Sequence, residues 1–478
     1  MTKAPTNAAS AEVTAIDTAA RGPLLWLLGS GLVWLLVSGI LALITSIQLH
    51  TPSFLADCSW FTHGRAQAMR ETVFVYGWLA NAGVATATWV LGRLGGYPLR
   101  ALNWAVVGCI FWNAAIAVGL VGIATGDMTT FALIQLPRYV QPVLVVAYAA
   151  MAISGVLAWS GRKTDGTFAS QWYAAAALFL LPWALCAAQA MLFWFPVRGV
   201  AQAITAGWFG QTLFSLWLSP LVLAGAYYLV PKITGRAIPA YEAAPLSFWT
   251  LIVVGAWNGG RHLIGGPVPA WVPTMAVVGG SMLLFHFLVV AMNFRPILGA
   301  SGTAANFLRF GLVAYVVNGL LEFFTSFRGI AVETQFTFVS TALEQFGLYG
   351  GLSMMLFATI YFMVPRLTGA PWASAALTMG HLALVVIGVL LATVALLFAG
   401  FAQGSGLLSP TVSFAEIFAR VRVPLLLNSA AQLLLLAANL LLFVNFVRSA
   451  CAACCAKSDS AASAGVFRQP SALEASAS

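Results

Sequence analysis

Long apolar runs recur along almost the whole chain, and no other feature narrows the possible folds so far. They lie at about 23–49, 71–94, 102–124, 140–160, 172–195, 206–231, 244–262, 271–293, 307–330, 336–364, 373–401 and 423–447. A helix rising 1.5 Å per residue crosses the hydrocarbon core of a bilayer in roughly 20 residues, so most of these runs are long enough to span it. Lipid offers no partner to an exposed N–H or C=O, so a spanning segment of this kind must be helical. The sequence therefore predicts an all-α integral membrane protein of about twelve transmembrane helices. With 61% hydrophobic and 7% charged residues in 478, a set of soluble domains is excluded.

Three regions follow. Residues 1–22 are polar and read as a cytoplasmic N-terminal tail, 23–447 as the polytopic membrane domain, and 448–478 as a Cys/Ala/Ser-rich cytoplasmic tail without fixed structure. The first apolar run is too long for a cleaved signal peptide and is expected to stay as the first span. Of the 22 Lys and Arg residues, fourteen fall on the termini and one set of loops, including Arg93, Lys232, Arg309 and Arg366. The other eight include Arg65, Arg70, Arg138, Arg261 and Arg328. That asymmetry places both termini in the cytoplasm, with Ala56–Arg70 and Ser409–Arg422 outside. The net charge of +9 is then a matter of orientation and does not point to nucleic acid. Cys451, Cys454 and Cys455 form a terminal cluster that reads as reduced thiols, with a metal or a lipid as alternatives. No Cys-x-x-Cys-His occurs, so no heme is attached covalently in the c-type manner.

Polar residues inside the runs carry what function the sequence shows. The stretch WNGGRHLIGGPVPAW, Trp257–Trp271, sets Arg261 and His262 at the end of one run, with Gly and Pro making a tight connection to the next. Arg70, Asn81, Asn318, Glu322, Glu344 and Gln345 also fall within or at the edge of runs. Ionisable groups there are costly and have a partner or a task. Two run ends repeat one another, YYLVPKITG at Tyr227–Gly235 and YFMVPRLTG at Tyr361–Gly369, each with an aromatic pair, a Pro and a basic residue. They read as interfacial anchors or as a deeper correspondence between the two helices.

The blocks GWFGQTLFSLWLSPLVLAGAYYLVPKITG (Gly207–Gly235), WNGGRHLIGGPVPAW and YGGLSMMLFATIYFMVPRLTG (Tyr349–Gly369) resemble subunit I of the cbb-type heme-copper oxidases. A softer match runs over Gly64–Gly83, and the resemblance covers roughly Gly64 to Gly369. It implies the subunit I bundle, heme b and copper as cofactors, and transfer of electrons from cytochrome c to oxygen. It also assigns positions. The low-spin heme ligands fall on Arg70 and Gln345, the high-spin heme ligand on Leu343, the copper histidines on Gln211, Arg261 and His262, and the crosslinked tyrosine on Gly255. Only His262 keeps the implied residue.

A guanidinium has no lone pair for iron, and a copper site needs several converging donors. The retained residues therefore predict no cofactor, with His262 as a weak metal candidate. His286 and His381 read as satisfied bundle histidines. Arg70, Glu344, Gln345 and Glu322 are expected to form a buried polar network in which Arg70 pairs with Glu344, unless Arg70 snorkels to the interface. Around them Tyr76, Gly77, Trp78, Gly83, Tyr349 and Gly350 would outline a vacated heme slot. The expected role is a ligand-depleted subunit of a respiratory complex in a bacterial inner membrane. An active oxidase and a non-redox solute or proton conductor are the alternatives. The partners would be the bilayer, other respiratory subunits or cytochrome c.

Overall fold

The computed structural model describes residues 7–466, which form helices and loops with no strand among them. Eleven helices of the described residues are long and apolar enough to cross a membrane. In chain order the bundle is α1 (Asn7–His50), α2 (His63–Gly95), α3 (Leu102–Thr125), α4 (Gln141–Ser160), α5 (Ala169–Trp194) and α6 (Val200–Thr234). Then come α7 (244–263), α8 (Trp271–Phe294), α9 (Thr303–Thr325), α10 (Phe338–Thr368), α11 (Ala375–Leu408) and α12 (Phe414–Val466). The expected seventh run is the one that is not a continuous spanning helix. It turns regularly over Ala244–Trp249, widens over Thr250–Val254 and tightens over Gly255–Leu263.

Three helices make the interior. Their apolar windows are 94% (α2), 94% (α6) and 89% (α10) buried, against 44–50% for the other eight, whose outer faces are left to lipid. Small residues let the three approach: a Cβ on Gly83 would stand 2.6 Å from Leu221, and one on Gly225 2.7 Å from Thr359. Each interior helix also carries one wide π-type segment, at Val73–Leu79, Leu213–Leu218 and Phe346–Ser353. Such turns have poorer hydrogen-bond geometry, rotate the side chains that follow and collect at functional sites. All three begin within three residues of Arg70, Gln211 or Gln345.

The repeated run ends are a true correspondence. Gly235 and Gly369 both take left-handed backbone, φ 64° and 73°, and donate to the carbonyls of Pro231 and Pro365, closing α6 and α10 alike. Lys232 lies over the Tyr228 ring and Arg366 over the Phe362 ring. Trp89 of α2 meets both rings, at 5.2 and 6.3 Å, so the three interior helices converge at this basic end.

Residues 1–22 differ from the expected tail. Helix α1 already runs from Asn7, with Ile16, Asp17 and Ala20 buried. The reason is Asp17, whose carboxylate accepts from Arg93 at 2.6 Å and from the Trp89 indole at 3.0 Å. At the other terminus α12 continues beyond 448 to Val466. The rest of the expected C-terminal tail, 467–478, lies outside the described residues, as do the side chains of Cys454 and Cys455.

Candidate functional site: two cavities between the interior helices

Glycine decides where Arg261 and His262 stand. The tight segment Gly255–Leu263 lies directly on α6 and α8. A Cβ on Gly259 would come within 2.3 Å of the Gly207 carbonyl oxygen, and one on Gly260 within 2.9 Å of the Val272 carbonyl. Neither backbone atom can give way as a side chain would. This close seat turns Arg261 inward, where its Nη1 meets Glu322 Oε2 of α9 at 3.0 Å. Both side chains are about 15% exposed, at 14% and 16%. Asn318 Nδ2 donates to the other Glu322 oxygen at 3.2 Å. The pair is thus hydrogen-bonded as well as charge-matched, which a buried ion pair requires.

His262 is fixed by its neighbour. Arg261 Nε lies 3.3 Å from His262 Nε2. A guanidinium only donates, so Nε2 is the acceptor and the proton sits on Nδ1. Gln335 holds the His262 carbonyl at 2.8 Å.

Behind this segment lies a cavity of about 570 Å³, bounded by Gln211, Arg261, His262, Glu322, Leu343 and Glu344 among others. A second cavity, about 50 Å³, is bounded by Gln67, Arg70, Glu71, Glu344, Gln345 and Tyr349 among others. Glu71 and Glu344 border both, with Val75, Leu133 and Leu348 completing the partition. Glu71 is well satisfied, accepting from Gln67 at 2.8 Å and Gln135 at 2.6 Å. Glu344 is exposed to cavity space and has no hydrogen bond or ion pair among the described residues.

The expected pairing of Arg70 with Glu344 is corrected by these contacts. Arg70 Nη1 donates to Gln67 Oε1 at 3.2 Å, and the interior pair here is Arg261–Glu322. Arg70 is half-buried one turn after Gln67 on the same helix, so Gln67 reaches it first. The expected slot is likewise closed. Gly77 abuts Trp34, Trp78 Nε1 donates to Ser353, Tyr349 donates to Asn439 at 2.5 Å, and Gly350 fits between Phe346 and Val389. What remains is 50 Å³. At Gly255 a side chain would meet the Ser215 Cβ at 2.6 Å.

The two bundle histidines differ. His286 Nδ1 stands 3.1 Å from the Ser247 carbonyl and Nε2 3.0 Å from the Tyr315 hydroxyl, so both ring nitrogens are used. His381 Nδ1 meets the Tyr361 hydroxyl at 2.9 Å, and its Nε2 is without a partner. Among the described residues no group of three or more His, Cys, Asp or Glu could hold a metal ion.

Sequence reasoning missed the loop between α3 and α4. It dips into the bundle, burying Ile134, Gln135 and Leu136. Leu133, at φ 62°, walls both cavities while its carbonyl accepts from Tyr76 at 2.6 Å. The signal was its length. Some fifteen residues without secondary structure are uncommon in a compact domain unless they have a role.

The family model for cytochrome c and quinol oxidase polypeptide I matches residues 23–434. The cbb3-type cytochrome c oxidase subunit CcoN1 of Stutzerimonas stutzeri is 23% identical over 75% of this chain and 78% of its own. A cytochrome c oxidase subunit 1 homolog of Azorhizobium caulinodans is 22% identical over 76% of this chain and 68% of its own. Among solved structures, a heme-copper terminal oxidase dimer superimposes with a TM-score of 0.69 over 93% of this chain and 84% of that one. At 14% identity, that likeness shows a shared fold.

Proposed function

The chain belongs to the cytochrome c and quinol oxidase polypeptide I family, and from that premise we propose that it is a ligand-depleted member, a non-catalytic membrane subunit of a respiratory complex. The carrying observation is the state of His262. It is the one imidazole on the wall of the larger cavity, and its acceptor nitrogen already takes a hydrogen bond from Arg261. The neighbouring positions are Gln211, Leu343 and Gly255. Leu343 offers iron no donor, and a copper ion needs several soft or borderline ligands converging on it. At the other family site Arg70 has no lone pair to give. The space there is about 50 Å³, whereas a pocket for a drug-sized ligand takes roughly 300–1,000 Å³. The residues present do not fit heme and copper, and no electron-transfer step is assigned to them.

In this reading the protein lies in a bacterial inner membrane with both termini cytoplasmic. It associates with other respiratory subunits or a cytochrome c, as the curated relatives' names suggest for those proteins. A pyridine hemochrome assay with metal analysis of the purified chain tests it. Neither heme nor copper is expected above trace. Stoichiometric heme with one copper would restore an active oxidase.

One observation favours a second reading, a non-redox conductor. Buried polar groups run from the basic end inward: Asn293 Oδ1 accepts from Ala240 N, Asn293 Nδ2 donates to Tyr227, and Ser247, His286 and Tyr315 follow. Tyr315, Asn318 and Glu322 share one face of α9 and lead towards the cavity. Proton flux into liposomes carrying the protein would have to exceed that of empty liposomes for this reading to stand.

A further inference from the structure

We propose that the larger cavity binds a protonated organic amine with an apolar body, its ammonium against Glu344. The inference rests on the reading above, in which no heme fills this space. Its volume of about 570 Å³ lies inside the roughly 300–1,000 Å³ range of small-molecule sites. Leu213, Phe214, Leu218 and Leu343 give it apolar walls. Such sites are mostly apolar, with a few polar groups that orient the ligand.

Charge selects the ligand class. Three carboxylates border the cavity, those of Glu71, Glu322 and Glu344, against one guanidinium, Arg261. Arg261 is paired with Glu322. Glu71 takes two amide N–H groups, and Arg70 borders only the smaller cavity beyond it. Among the described residues Glu344 alone of the three has no hydrogen bond or ion pair, and the charges of Arg70 and Arg261 reach it only from beyond ion-pair distance. A carboxylate held away from bulk water calls for a cation or a donor. A second acceptor, Asn318 Oδ1, is buried on the same wall with no partner.

A metal ion does not meet this description. Among the described residues no three ionisable donors converge, and apolar walls cannot replace the oxygen shell that a hard cation loses. An ammonium donates to one carboxylate while its carbon body covers the leucines and Phe214. At the Arg261 end the exposed His262 and Ser340 form part of the cavity wall.

The test is calorimetric titration of the purified full chain with 1-adamantylamine and with its neutral counterpart 1-adamantanol. Heme and copper are assayed on the same batch. One amine per chain is expected, with the alcohol at least tenfold weaker. Glu344→Gln should weaken the amine about tenfold and leave the alcohol unchanged. Leu343→Trp, which fills the cavity, should abolish both. Equal affinity for amine and alcohol would reduce the site to apolar partition and overturn the inference. So would unaltered amine binding in Glu344→Gln, or no amine binding by folded, heme-free wild type. A heme-loaded batch would instead overturn the proposed function, and this inference with it.

Discussion

Arg261 shows how much one substitution changes when it is buried. With Glu322 at 3.0 Å it is a closed pair, and it occupies the ring nitrogen that His262 would present to a metal. Removing one partner strands the other as a buried charge, which costs about 3–5 kcal/mol. Partial exposure, 14% and 16%, puts this pair near the lower end. Glu322→Gln should therefore lower stability by about 3 kcal/mol in thermal unfolding, and Arg261→Met with Glu322→Leu should recover most of it. Wild-type stability in the single variant would mean that the pair holds nothing. The sequence pointed to Arg261, Glu322, Glu344 and Arg70 as costly and in need of partners. It could not say which carboxylate met which guanidinium, because the choice depends on how α7 seats on α6.

At the scale of elements, the interior helices are held together at one end and opened at the other. Asp17 on α1 grips Arg93 and Trp89, and Trp89 reaches the rings of α6 and α10. Removing residues 1–22 should cost at least about 3 kcal/mol, because Arg93 loses its buried counter-charge. Asp17→Asn in the full chain should reproduce much of that loss in the same unfolding assay. An unaffected truncation would make the segment a tail after all. Between α2 and α10, direct packing has replaced the expected slot. Arg70→His with Gln345→His supplies two imidazoles but only about 50 Å³ of space. No low-spin heme band is expected from the double variant under heme-replete expression. A reduced-minus-oxidised spectrum with such a band would show that Tyr349 and its neighbours can move aside.

For the whole molecule, the eleven spanning helices put both termini on one side only if the broken α7 segment also crosses the bilayer. The proposal that this side is the cytoplasm rests on the Lys/Arg asymmetry. Cys451 is exposed on α12 beyond its apolar run, and Cys58 lies half-buried in the loop before α2. A membrane-impermeant thiol reagent added to intact cells should label Cys58 and spare Cys451. Labelling of Cys451 from outside would reverse the orientation.

Helix class and the approximate place of eleven of the twelve expected spans were determined by the sequence alone, since a bilayer leaves an apolar run of about 20 residues one way to satisfy its backbone. The matched ends of α6 and α10 were legible for a similar reason: Pro and Gly impose local geometry wherever they fall. The site was legible as a set of residues, because polar groups stand out against an apolar chain. Tertiary structure decided the rest. It chose Glu322 for Arg261, folded α1 back to Asn7, inserted the loop at Leu133, closed the Arg70 site and left the Gln211 site open. Those outcomes depend on side-chain volumes summed over helices distant in sequence. A run of letters records each volume but not which of them meet.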